Sequence, residues 1–133
     1  MIEQKLAALG IVLPTAATPA FQYVPVTVHE TLAFVSGQLP RDGDRLVTGK
    51  VGLDVSVDQA RVAARLCVLQ ALACLRQALG SLDRVERILK VTGFVASAPL
   101  FDQQPKVIDA ASELLGGEEE RGYARGVADL MGV

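Results

Sequence analysis

Between Phe21 and Gly37 the chain reads FQYVPVTVHETLAFVSG, where β-branched and polar residues alternate and the alternation breaks at His29-Glu30-Thr31. That texture predicts two antiparallel strands joined by a tight turn. Pro25 has no N–H to give to a ladder, which places an edge or a bulge in the first strand. Upstream, IEQKLAAL (residues 2 to 9) predicts a two-turn helix stopped by Gly10, followed by an extended connector from Leu13-Pro14 to Thr18-Pro19. Downstream, Arg41-Asp42-Gly43-Asp44 reads as a further turn and Leu46-Val47 as the start of a third short strand. Ser56-Val57-Asp58-Gln59 has the capping-box spacing, a hydroxyl followed three residues on by an amide, so a helix begins there. DQARVAARLCVLQALACLRQAL is apolar on more than one face for about six turns at 3.6 residues each, and Gly80 ends it. A helix this apolar must pack against a sheet or a partner.

After the turn GSLD, the run of Ile, Leu, Val, Thr and Phe in RVERILKVTGFVAS predicts a long central strand from about Glu86 to Ala96, with Gly93 marking a bulge or a close approach. Pro99 closes it. Pro105 suits the first turn of another helix, PKVIDAASELL, ended by Gly116-Gly117, and YARGVADLMGV can form a last short strand. Strands in pairs between helices give an α+β class, with two helices on one face of a mainly antiparallel or mixed sheet. The other face is too apolar to meet water, so a self-associated oligomer is expected.

The length of 133 residues fits one domain spanning 1–133. Half the residues are apolar, only 5% are aromatic and none is Trp, so Val, Leu and Ala must fill the core. A net charge of −2 without any run of Lys or Arg disfavours nucleic acid as a partner. The opening MIEQKLAALGIVLP has an acidic residue before its first Lys and no apolar stretch of the length a signal or a membrane span needs, so a cytoplasmic location and no membrane partner are expected. Cys67 and Cys74 lie seven apart on one predicted helix, about 10 Å at 1.5 Å per residue, too far to bridge. They read as reduced thiols. His29, the only histidine, sits alone at the hairpin turn and makes a poor metal site, and no metal or other cofactor is called for.

The stretch GDRLVTGKVG (Gly43–Gly52) invites comparison with a phosphate-cradling loop. It has one residue too many before Gly49-Lys50, and Val51 stands where a magnesium-binding hydroxyl belongs, so it reads as a surface turn.

Three runs, QYVPVTVHETLAFVSGQLP, GKVGLDVSVDQARVAARLCVLQALACL and SLDRVERILKVTGFVASAPLFDQQPKVIDAASELL, resemble the RidA/YjgF family, also called endoribonuclease L-PSP or translation inhibitor proteins. The resemblance covers roughly residues 22 to 115 and is closest to the branch of unassigned activity with GKVG before the first long helix and PKV opening the second. It implies a chorismate-mutase-like α+β fold, a homotrimer with clefts between subunits, and a place near such a cleft for GDRLVTGKVG. Better-known members hydrolyse reactive enamines and imines of 2-amino acids, such as 2-aminoacrylate, to ammonia and a 2-keto acid.

By the same resemblance, Arg125 in GYARGVADL anchors the substrate carboxylate, a role that suits the planar fork of arginine. Arg121 is the rival. Tyr23, thirteen positions before Ser36, is implied as a catalytic cleft residue whose hydroxyl serves substrate or water. Ser36 and Gly37 are implied to line the pocket with backbone groups, and Phe94 to wall it, with core filling equally open for Phe94. Without the family, either arginine reads as a solvated surface residue and Tyr23 as an ordinary strand tyrosine.

The chain also departs from the pattern. DLMGV stands where the family has a Leu-Pro step, the strand bearing a water-activating glutamate has no counterpart, and about Pro105 the family tends to have Asn. A general acid/base contributes typically about 10²–10⁴-fold, so weak deamination is expected. The alternatives are a non-catalytic trimer that binds small carboxylates as a regulator, and an endoribonuclease-type translation inhibitor.

Overall fold

The structure, a computed structural model, describes residues 2–19 and 21–116 and the backbone of the strand Ala124–Arg125. In chain order its elements are α1 (Ile2–Ala8), β1 (Val26–His29), β2 (Leu32–Val35), β3 (Arg41–Asp42), β4 (Arg45–Leu46), α2 (Val57–Leu79), β5 (Lys90–Val91), α3 (Gln104–Gly116) and β6 (Ala124–Arg125), with a 3₁₀ turn at Leu82–Arg84. The residues group into two compact units: Met1–Leu39 with Leu69–Glu86, and Pro40–Val68 with Arg87–Val133. Helix α2 runs through both.

In the first unit, β1 and β2 form an antiparallel hairpin in the register Val26↔Val35 to His29↔Leu32. The turn is Glu30-Thr31, with Glu30 at φ 53, the positive φ that lets a two-residue loop follow the strand twist. Helix α1 is tied to the 3₁₀ turn through Glu3. Its carboxylate accepts the Leu82 N–H at 3.1 Å and lies 3.5 Å from Arg76, while its own N–H donates to Asp83 Oδ1 at 3.1 Å. A seven-residue helix is too short to hold itself in water, so these side-chain bonds and the burial of Leu6 fix it. Leu72, Ala73, Cys74, Leu75 and Leu82 are buried in this unit too.

In the second unit, α2 starts as its capping box dictates: Gln59 N–H donates to Ser56 Oγ at 3.1 Å and Ser56 N–H to Gln59 Oε1 at 2.9 Å. Arg61 pairs with both Glu113 carboxylate oxygens at 3.0 Å and reaches the Lys106 carbonyl, and Arg65 lies 3.6 Å from the same carboxylate, so α2 is fastened to α3. Val51, Ala60, Val95, Val107 and Ile108 form the core, with Val55, Val57, Ala64 and Phe101 packed against it.

Among the described residues the single mixed sheet expected from the pattern is instead three two-stranded ladders, while the three helices lie where the pattern predicted them. Among the described residues the strand expected over 86–96 forms a ladder only over Lys90–Val91, parallel to Ala124–Arg125, and meets Val51 at its far end, where Val51 N–H donates to the Ala96 carbonyl. Its alternation nevertheless persists. Val91, Gly93 and Val95 turn inward while Thr92, Phe94 and Ala96 are exposed. A strand is defined by its neighbour's backbone, and side-chain pattern alone cannot provide one. Gly93 marks the close approach: a Cβ there would overlap Ile108 Cδ1.

Candidate functional site

The hairpin has an unusual surface. Directly paired residues share a face, so Thr27 and Phe34 lie on one side and Val28 and Ala33 on the other. Val28 is 50% exposed and Phe34 61%, so each face carries an exposed apolar side chain among the described residues.

At the open end of the hairpin, Gln22, Tyr23, Val24, Thr27 and Ser36 line a shallow, open cavity of about 700 Å³. Two of the residues implied by resemblance, Tyr23 and Ser36, are thus brought together. Three others were not foreseen. Thr27 could have been found by the alternation that starts at Tyr23, since residues 23 and 27 have the same parity; Gln22 and Val24 carry no such signal. The polar groups here are an amide and hydroxyls, without a charge. The cavity can hydrogen-bond a small polar molecule, and a carboxylate anchor has to come from elsewhere.

The local geometry follows from Pro25. It faces Ser36, whose N–H donates to the Pro25 carbonyl at 2.9 Å. Having no N–H, Pro25 cannot return a bond to the Ser36 carbonyl, and Gln38 Nε2 supplies it at 3.0 Å. The Ser36 hydroxyl donates to the Val24 carbonyl at 2.7 Å. Gly37 leaves open space, for a Cβ on it would meet nothing within 4 Å.

Phe94 and Arg125 belong to the other unit. Phe94 is 72% exposed on the side of its segment away from Gly93 and Val95, so the core-filling alternative fails. Arg125 is placed by its backbone, in register with Val91. Its side chain, Arg121 and the departures at the C-terminal end lie outside the described residues.

The backbone donors of the GKVG stretch from Lys50 onward are occupied. Lys50 N–H donates to Asp54 Oδ2, Val51 N–H to Ala96 O, and Gly52 N–H to Val55 O. The N–H groups of Leu53, Asp54 and Val55 all point to the Lys50 carbonyl, and that of Ser56 to Gln59. A phosphate cradle needs free backbone donors, and those of residues 50–56 are already taken by the loop itself, by Ala96 and by Gln59. Gly49 (φ 132) and Gly52 (φ 91) permit the path. Burial pushes the Cys67 thiol up to about 11 and raises that of Cys74, so neither is poised as a nucleophile.

Comparison with known proteins gives this architecture a family. The model of the family described as "YjgF/chorismate mutase-like, putative endoribonuclease" matches residues 3–125. The chain belongs to the YjgF/chorismate mutase-like family. Protein TCP17 of Trypanosoma cruzi is 42% identical over 136 aligned positions, which cover 97% of this chain and 85% of that protein. Among solved structures, Atu1372 of Agrobacterium tumefaciens, of unknown function, is 45% identical with a TM-score of 0.82, over 94% of this chain and 79% of that one. A "putative endoribonuclease" from Shewanella oneidensis is 31% identical with a TM-score of 0.83, over 93% and 87%. The α+β fold of helices and small sheets is therefore the YjgF chorismate-mutase-like one. The family name carries the word endoribonuclease at family level only.

Proposed function

We propose that the chain is a hydrolytic deaminase of reactive enamine and imine intermediates of 2-amino acids, the 2-aminoacrylate class, working as a homotrimer. The observation that carries this reading is the open, uncharged, hydrogen-bonding cavity at Tyr23 and Ser36, on a hairpin whose two faces both carry exposed apolar side chains among the described residues, in a chain of the YjgF family. In the trimer other copies cover those faces and complete the cavity as a cleft. Arg125 grips the substrate carboxylate through two parallel hydrogen bonds. The Tyr23 hydroxyl orients a water toward the imine carbon. Water adds to that carbon, the carbon–nitrogen bond breaks, and ammonia and a 2-keto acid leave. Phe94, apolar and exposed, walls the cleft, and Gly37 leaves room for the substrate to approach the main chain.

The test is release of keto acid from enzymatically generated 2-aminoacrylate. The protein is expected to accelerate it and Arg125→Ala to abolish the acceleration; equal rates with and without protein would overturn the reading. A second reading, a trimer that binds small carboxylates without turnover, is favoured by the absence of a carboxylate that could act as general acid or base among the described cavity residues. A thermal shift with 2-keto acids and no turnover would establish it. The endoribonuclease reading rests on the family name and the name of the Shewanella structure, and the net charge of −2 weighs against it. RNA cleavage that survives rigorous repurification would revive it.

A further inference from the structure

The Ser36 hydroxyl has one proton, and it is donated to the Val24 carbonyl across twelve residues of sequence. Toward the cavity the oxygen can then only accept. A carboxylate is itself only an acceptor, so Ser36 in this state cannot hold the acid group of a substrate. The bond has another purpose. Pro25 ends the regular ladder at Val26↔Val35, and residues 21 to 24 are exposed and belong to no strand. Tyr23 is fixed on its N-terminal side by a tight turn, its N–H donating to the Phe21 carbonyl at 2.9 Å. On its C-terminal side the next residue, Val24, is held by Ser36.

We infer that Ser36 is a positioning residue for Tyr23: its hydroxyl clasps the Val24 carbonyl to the end of β2 and so sets the phenol over the cavity. Gln38 supports the clasp by taking the Ser36 carbonyl that Pro25 leaves without a backbone donor. The inference rests on the reading of Tyr23 as a cleft residue, but the placement of its ring can be measured apart from any turnover.

The chain has two tyrosines and no Trp, so Tyr123→Phe leaves Tyr23 as the sole tyrosine, and incorporated 3-fluorotyrosine then reports on it through one ¹⁹F resonance. Ser36→Ala is expected to shift and broaden that line, and Ser36→Thr, which keeps the hydroxyl, to restore it. Should Ser36→Ala fail to fold, Ser36→Cys keeps the volume with a weaker donor and is expected to move the line the same way. Where turnover is measurable, Ser36→Ala lowers kcat about five-fold, the size of one net hydrogen bond, with KM nearly unchanged. In a Tyr23→Phe background it lowers kcat no further. An unmoved ¹⁹F line in a folded Ser36→Ala variant overturns the inference whether or not the protein is a deaminase. Additive losses in the double variant overturn it too, since they assign Ser36 a contact of its own.

Discussion

The core around Ile108 and the hairpin β1–β2 use similar residues to opposite ends. Around Ile108, the apolar side chains of Val51, Val95 and Val107 are buried against one another. In the hairpin, Val28, Leu32 and Phe34 are as apolar and stand exposed. Val28 lies on one face of the hairpin and Leu32 and Phe34 on the other, so each face offers apolar surface to a partner. The core is finished within one chain, whereas the hairpin has its backbone in place and its side chains uncovered. Such a division puts stability in one region and, on the proposed reading, function in the other.

The largest test of that division is a pair of truncations. Ile108→Ala is expected to lower stability by about 3 kcal/mol, read by urea or thermal unfolding, whereas Val28→Ala changes the isolated chain by within about 0.5 kcal/mol. Equal losses would show that the hairpin is packed after all. Next in size is Gly49→Ala. At φ 132 the new Cβ would lie 2.7 Å from Val55 Cγ2 and 3.0 Å from Asp54 Cβ, and a loss of about 2 kcal/mol is expected. A neutral result would mean that the GKVG loop rearranges without penalty.

A smaller effect, of opposite sign, is expected at Leu100. In the turn Ala98-Pro99-Leu100-Phe101, closed by Phe101 N–H to Ala98 O at 3.1 Å, Leu100 is fully exposed and holds φ 69 where such turns favour Gly or Asn. Leu100→Asn should raise stability by about 0.5–1 kcal/mol, measured as an increase in Tm.

Smallest is the response to alkali. Below pH 9 the Cys67 thiol is protonated in folded and unfolded chains alike and has no effect. Above that, the unfolded thiol ionises while the folded one, pushed up to about 11 by burial, stays neutral, so the unfolded state is favoured. Tm is expected to fall between pH 9 and 11, and less steeply in Cys67→Ala. Identical slopes would show that Cys67 is not shielded.

Much of this was legible along the chain because it depends on near neighbours. The Ser56–Gln59 spacing foretold both capping bonds, the break at His29-Glu30-Thr31 foretold the hairpin turn, though His29 closes β1, and Gly93, expected at a bulge or a close approach, meets Ile108. What could not be read depends on distant partners. The ladder of β5 needs residues 124–125, and the site clasp joins Ser36 to Val24 by a hydroxyl that any exposed serine could offer to water. Thr27 shares the parity of Tyr23, and the cavity shows that the two line one space. The spacing of GKVG and its Val51 already read as a surface turn rather than a phosphate loop, and the hydrogen bonds of the folded loop add that its backbone donors from Lys50 to Ser56 are taken.

The central claim is that copies of the chain cover the hairpin and complete its cavity. Light scattering on the wild-type protein at micromolar concentration tests it most directly. The account predicts three times the mass of one chain, and a fall to the single-chain mass in Phe34→Glu, which puts a charge on the uncovered face. A wild-type protein that stays at the mass of one chain would contradict it.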